Sequence, residues 1–241
     1  MRKILLLICG AALSANLLAQ TKIDRSKQPK PGPAPVITIK DPFIEMLPNG
    51  ITLIVVENHK LPKVNASLSI DRGPIVEGKK AGVNGMMGGM LGEGTTKTPK
   101  EKFDAAIDQM GANVSLFSSG GFTSALSRYF ESAFMLMAEA LQYPAFPQES
   151  FDKLKSQKLT GLKSNEKSAS AISARVVGAL SYGKNTAMGE FETEESIKGL
   201  TLDDIKTAYK ENITPSRSYL TFVGDITPQA AKSLAIKAFG S

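Results

Sequence analysis

Gly82-Val83-Asn84-Gly85-Met86-Met87-Gly88-Gly89-Met90-Leu91-Gly92-Glu93-Gly94-Thr95 combines the apolar spacing of a short helix with glycines at 82, 85, 88, 89 and 92. Each interior glycine costs a helix roughly 0.8–1 kcal/mol relative to alanine. Such a run needs a reason, and two are open. The helix is buried and distorted, and its bare positions let a neighbouring backbone approach closely. Alternatively, it presents a shallow, uncharged groove to a bound peptide or a partner helix. It is not a phosphate loop, because no Gly-Lys-Ser/Thr follows. Met86, Met87 and Met90 read as core residues before they read as ligands.

On the N-terminal side, Leu47-Pro48-Asn49-Gly50 is a turn signal ahead of a β-branched strand, Ile51 to Glu57. His59-Lys60-Leu61-Pro62 breaks that strand. Val64, Ala66, Leu68 and Ile70 then alternate with Asn65, Ser67 and Ser69, the pattern of a half-buried strand. On the C-terminal side, Thr98-Pro99 opens a helix striped by Phe103, Ala106, Ile107 and Met110 and stopped by Gly111. Strands are expected at Asn113 to Phe117 and Thr123 to Tyr129, joined across Ser118-Ser119-Gly120-Gly121. Ser132 to Gln142 is an amphipathic helix. Pro147 begins a long helical region to about Ser173, with helix resuming from Ala174 to Tyr182. Thr201-Leu202-Asp203-Asp204 is a capping-box start for a helix to about Asn212. Tyr219 to Val223 is a strand, and Thr227-Pro228 caps a last helix reaching Phe239. The sum is α+β: a mixed, mainly antiparallel sheet with helices packed on one face.

The 241 residues carry a net charge of +6, spread among interspersed lysines and glutamates. No basic helix or aromatic-basic platform marks a nucleic-acid partner. The single Cys9 and single His59 exclude an internal disulfide framework and a zinc site of two imidazoles or clustered thiolates. His59 follows a strand and reads as a surface loop residue. The first 19 residues, with Arg2-Lys3 ahead of an uncharged run and Leu17-Leu18-Ala19 before Gln20, read as a secretory signal peptide. Lipidation at Cys9 is disfavoured by the preceding Ile8. Residues 20–42, with Gln28-Pro29-Lys30-Pro31-Gly32-Pro33-Ala34-Pro35, form an extended linker to a folded part at 43–241. No later segment is apolar enough to span a bilayer, so the expected place is the periplasm of a Gram-negative bacterium.

The order of these elements resembles the insulinase/pitrilysin family of zinc peptidases, which includes the mitochondrial processing peptidases, over about residues 43–241. The matching residues are Leu47 to Glu57, Gly73 to Glu77, and Gly82, Met90, Gly94 and Thr95. Further matches are Met110-Gly111-Ala112-Asn113, Gly189, Thr193-Glu194-Glu195-Ser196-Ile197, Leu200-Thr201 and Val223-Gly224-Asp225. The family pattern places two zinc-binding histidines four apart on one helical face, with a general-base glutamate before the second. Here those positions are Gly85, Gly88 and Gly89. The more distant glutamate ligand aligns, through Phe151-Asp152-Lys153, with Gly161; spacing alone picks Glu166 instead. The resemblance therefore implies no catalytic residues, no bound metal and no cofactor in this chain, with zinc only in an active partner. It implies an exported non-catalytic subunit or domain that helps form a chamber with a homologous zinc-bearing peptidase subunit and binds its peptide substrate. It also implies a second, similar domain after this one, carrying an Arg/Tyr pair that orients substrate. Leu116, Phe117, Ser118 and Ser119 fall where active relatives offer a sheet edge to peptide, although a plain hairpin turn accounts for them equally well. The competing reading is a stand-alone peptide-binding or chaperone-like module of the cell envelope. A hydrolase built on other residues is the third.

Overall fold

Alternation of burial along three neighbouring strands sets the architecture. Leu53 and Val55, then Val64, Ala66 and Leu68, then Leu220 and Phe222 are buried, while the residues that alternate with them along each strand are more exposed. One face of a single sheet therefore carries the core. The computed structural model describes residues 32–34 and 41–240. The expected signal segment at 1–19, Cys9 within it, and most of the expected linker at 20–42 lie outside the described residues.

The strands are β1 (Phe43–Met46), β2 (Thr52–Glu57), β3 (Lys63–Ile70), β4 (Asn113–Phe117), β5 (Gly120–Leu126) and β6 (Ser218–Gly224). The helices are α1 (Val83–Met90), α2 (Lys100–Met110), α3 (Ser127–Gln142), α4 (Gln148–Asn165), α5 (Ala169–Tyr182), α6 (Glu194–Gly199), α7 (Leu202–Asn212) and α8 (Pro228–Phe239). The strand order is β1-β2-β6-β3-β5-β4. Among the described strands only β2 and β6 run parallel, with Leu53 opposite Leu220 and Val55 opposite Phe222. The expected mixed, mainly antiparallel sheet with helices on one face is what the chain forms.

Phe130 and Phe134 of α3, Phe222 of β6 and Phe239 of α8 tie the helices to the sheet. Phe134 has its ring centroid 5.1 Å from Phe222 and 6.0 Å from Phe239. The capping expected at Thr201 is present: its hydroxyl accepts from Asp204 N, and Asp204 reaches back to Thr201 N. Thr193 and Ser196 form a second such box, which starts α6.

Four differences from the sequence expectations have local causes. The edge strand β1 was not expected; only four residues long, it pairs Ile44 with Ile54. Gly120 and Gly121 belong to β5 rather than to the turn, which is Ser118-Ser119 alone. Gly120 has φ +137°, and a Cβ there would overlap the Leu68 carbonyl, so the glycine permits close strand pairing. Ser127 to Tyr129 begin α3 instead of ending β5, and the Ser127 hydroxyl donates to Asp225 at 2.6 Å. The long helical region breaks at Glu166–Ser168, earlier than expected, because the Ser168 side chain caps α5 through Ala171 N.

Candidate functional site

Helix α1 runs between the β4–β5 turn and α4. Its entry is made by Gly82 at φ +102°, whose N–H donates to the Glu77 carboxylate at 2.5 Å. The same carboxylate accepts from Asn84 N at 3.1 Å and from Asn84 Nδ2 at 2.5 Å. A negative charge thus sits on the orphan N–H groups of the helix start, where it is favoured. Glu190 in turn accepts from Glu77 N and Gly78 N, at 2.7 and 3.0 Å, and holds the loop that carries Glu77. Asn84 Oδ1 accepts from the buried Asn212 side chain of α7.

The motif glycines of α1 divide by what surrounds them. A Cβ on Gly88 would lie 2.7 Å from Ser118 N and 3.2 Å from the Phe117 carbonyl carbon. At this position the bare helix admits a neighbouring backbone, as the first of the two sequence readings holds. Gly85 and Gly89 are different. A Cβ on Gly89 would reach Leu154 Cδ1 at 3.7 Å, and one on Gly85 would reach Glu192 Oε1 at 3.5 Å. Both are ordinary contacts. Gly161 of α4 has nothing within 4 Å of its would-be Cβ.

Gly85, Gly89 and Gly161 line one cavity of about 390 Å³, walled by Met86, Leu154 and Leu162 and rimmed by Gln157, Lys158, Asn165 and Glu192. The structure therefore brings together three of the four positions singled out from the sequence, and Gly88 faces away from them toward the turn. Glu166, the alternative chosen by spacing, is an exposed residue at the end of α4 and does not line the cavity. Zinc takes three or more nitrogen, sulfur or oxygen donors. Around this cavity the only carboxylate is Glu192, and its Oε2 pairs with Lys158 Nζ at 2.8 Å. The residues present do not fit a zinc ion. Among the described residues there is no group of three or more His, Cys, Asp or Glu able to hold a metal.

The four edge residues are set out along and beyond β4. That strand pairs only with β5, so its outer edge is unpaired among the described residues. Leu116 turns inward against the core, Phe117 is exposed, and Ser119 O accepts from Ile70 N at 2.8 Å. Ser118 and Ser119 line a smaller cavity of about 140 Å³ with Arg72, Asn84 and Asn212.

His59 is better connected than a loop residue need be. Its Nδ1 lies 2.6 Å from Asp225 Oδ1 and its Nε2 2.6 Å from Glu57 Oε1. Both ring nitrogens then donate, which requires the imidazolium. The Asp225 hydrogen bond, followed by that of Glu57, raises the His59 pKa above its ordinary 6.5, and His59 lowers that of Asp225. The His59 ring is exposed, and the group ties β2 to the end of β6 and, through Ser127, to α3.

Glu77, Glu190 and Glu192 were not found from the sequence as a group. Glu77 was visible as part of Gly73 to Glu77; its contact with Glu190, 113 positions away, has no local signal.

The described helices include none long and apolar enough to cross a membrane. Among known folds, the chain is similar to a peptidase M16 inactive domain from Pseudomonas fluorescens, with 21% identity and a TM-score of 0.75. That match covers 83% of this chain and 50% of the other. A protease from Helicobacter pylori shares 18% identity with a TM-score of 0.73, covering 85% of this chain and 51% of that one. The periplasmic protease PqqL from Escherichia coli shares 16% identity with a TM-score of 0.71, covering 86% of this chain and 24% of PqqL. The chain thus spans about half the length of the first two structures and a quarter of the third. No curated protein matches it significantly. Residues 199–241 match the family profile described as the peptidase M16 inactive domain. Residues 52–189, more than half of the chain, match that of the insulinase family, peptidase family M16, and the chain belongs to that family.

Proposed function

We propose that this protein is an exported, non-catalytic subunit or domain of an insulinase-type peptidase. It binds extended peptide and assembles a chamber with a homologous zinc-bearing subunit. The observation that carries this reading is the cavity shared by Gly85, Gly89 and Gly161, whose single carboxylate cannot make a zinc site; the outer edge of β4, unpaired among the described residues, adds a place for extended peptide. A peptide adding a strand at β4 gains main-chain hydrogen bonds there, and side-chain pockets beside the edge supply selectivity. The signal-like segment at 1–19 supports export to the periplasm, and one of the similar solved structures is a periplasmic protease.

The test is recovery of the tagged protein from its native envelope under mild conditions, with mass spectrometry of the chains that accompany it. A stoichiometric homologue with an intact His-x-x-Glu-His motif is the expected companion. Recovery of the protein alone, or with unrelated cargo, refutes the pairing and leaves a stand-alone peptide-binding module.

A further inference from the structure

The cavity between α1 and α4 has a definite chemistry. Its walls are apolar at Met86, Leu154 and Leu162, and its glycines leave the floor bare. Its volume of about 390 Å³ is at the low end for ligand sites, which suits one side chain and excludes a large ligand. One carboxylate reaches into it without being fully used. Glu192 gives Oε2 to Lys158, while Oε1 lies over Gly85 and accepts no hydrogen bond among the described residues. The neighbouring carboxylates are already engaged: Glu77 holds the start of α1, and Glu190 holds the backbone of Glu77 and Gly78. Glu192 is therefore the carboxylate with an oxygen left to meet an occupant.

We infer that this cavity receives a lysine or arginine side chain of a bound extended peptide, with its aliphatic stem against Met86, Leu154 and Leu162 and its cationic tip on Glu192 Oε1. The inference rests on the peptide-binding reading and names the selectivity of that same site. A long aliphatic stem suits apolar walls. A charged donor gains a charge-assisted hydrogen bond at the unpartnered oxygen, whereas a carboxylate would be repelled and a purely aliphatic tip would leave that oxygen buried without a donor. Lys158 holds the opposite oxygen and limits how much negative charge the occupant meets.

The experiment is fluorescence anisotropy of the purified chain with labelled nine-residue peptides, identical except for a central lysine, arginine, norleucine or glutamate. The expected result is binding of the lysine and arginine peptides about tenfold tighter than the norleucine peptide, and weakest binding of the glutamate peptide. Glu192→Gln removes the preference, so that the lysine, arginine and norleucine peptides bind alike; Lys158→Gln, which frees the second oxygen, enlarges it. Gly161→Leu fills the cavity and weakens all four. Equal binding of lysine and norleucine peptides overturns the selectivity while leaving peptide binding intact. Failure of every peptide to bind the folded protein overturns both.

Discussion

Alanine at the three α1 glycines gives changes of opposite sign in one helix. None of Gly85, Gly88 and Gly89 has positive φ, so alanine is sterically allowed by the backbone at each. At a compatible position, Gly→Ala gains about 0.4–1 kcal/mol, chiefly by restricting the unfolded chain. Gly89→Ala adds a methyl 3.7 Å from Leu154 Cδ1, an ordinary contact, and takes the full gain. Gly85→Ala, in the first turn and 3.5 Å from Glu192 Oε1, takes the lower part of it. Gly88→Ala puts its methyl 2.7 Å from Ser118 N, with Phe117 carbonyl carbon at 3.2 Å. These are backbone atoms of a turn held by the Ile70–Ser119 hydrogen bond, and they do not give way as a side chain would. Overpacking of that kind costs about 1–3 kcal/mol and outweighs the propensity gain. In a domain of 150–250 residues, 1 kcal/mol moves Tm by about 2–4 °C. Thermal unfolding followed by circular dichroism should show Gly89→Ala about 1–4 °C above the wild type, with Gly85→Ala between the two. Gly88→Ala should melt several degrees below it. If Gly88→Ala matches Gly89→Ala, the turn does not pack on α1 and the division of the motif glycines is wrong.

Restoring donors tests the cavity from another side. The triple variant Gly85→His, Gly89→His, Gly161→Glu should take up one zinc per chain by equilibrium dialysis; a folded variant that binds none would show that Gly161 is not the facing position. Adding Gly88→Glu should destabilise that variant, because a side chain at 88 meets the backbone of Phe117 and Ser118. Thr123 is buried on the core side of β5, and its hydroxyl finds no partner among the described residues. Thr123→Val should therefore hold or raise the unfolding free energy measured in urea, by up to about 1 kcal/mol, since an unsatisfied polar group is replaced by an apolar one of the same shape. A clear loss of stability would mean that the hydroxyl is hydrogen-bonded after all. His59 has a folded pKa raised first by Asp225 and then by Glu57. Its contribution is full below the unfolded value of 6.5 and fades as pH rises through the folded value. The melting temperature of the wild type, measured relative to that of His59→Gln, should decline as pH is raised from 6 to 8.5; a rise would contradict the geometry.

Much of the fold was legible because it follows short-range rules. Alternation from Val64 to Ile70, the stop at Gly111 and the cap at Thr201 each depend on neighbours within four residues, and each formed where expected. The same locality misplaced Gly120 and Gly121. Glycine reads as a turn along the chain, and only the approach of Leu68 in the adjacent strand reveals why it sits in β5. Strand β1 was missed because two of its three apolar residues, Ile44 and Met46, face outward, and Phe43 alone turned inward gives no buried period. The site divides in the same way. The sequence by itself determined that the motif positions carry glycine, and so that no imidazole or carboxylate stands there. It left both reasons for the glycine run open, since a missing side chain says nothing about what occupies its place. Only the tertiary structure decided that Gly88 is filled by the backbone of a distant turn, while Gly85, Gly89 and Gly161 open on a common cavity overlooked by Glu192. Those contacts join residues up to 107 positions apart, and they arise from the packing of α1 against the β4–β5 turn, α4 and the Glu192 loop, which no local pattern encodes.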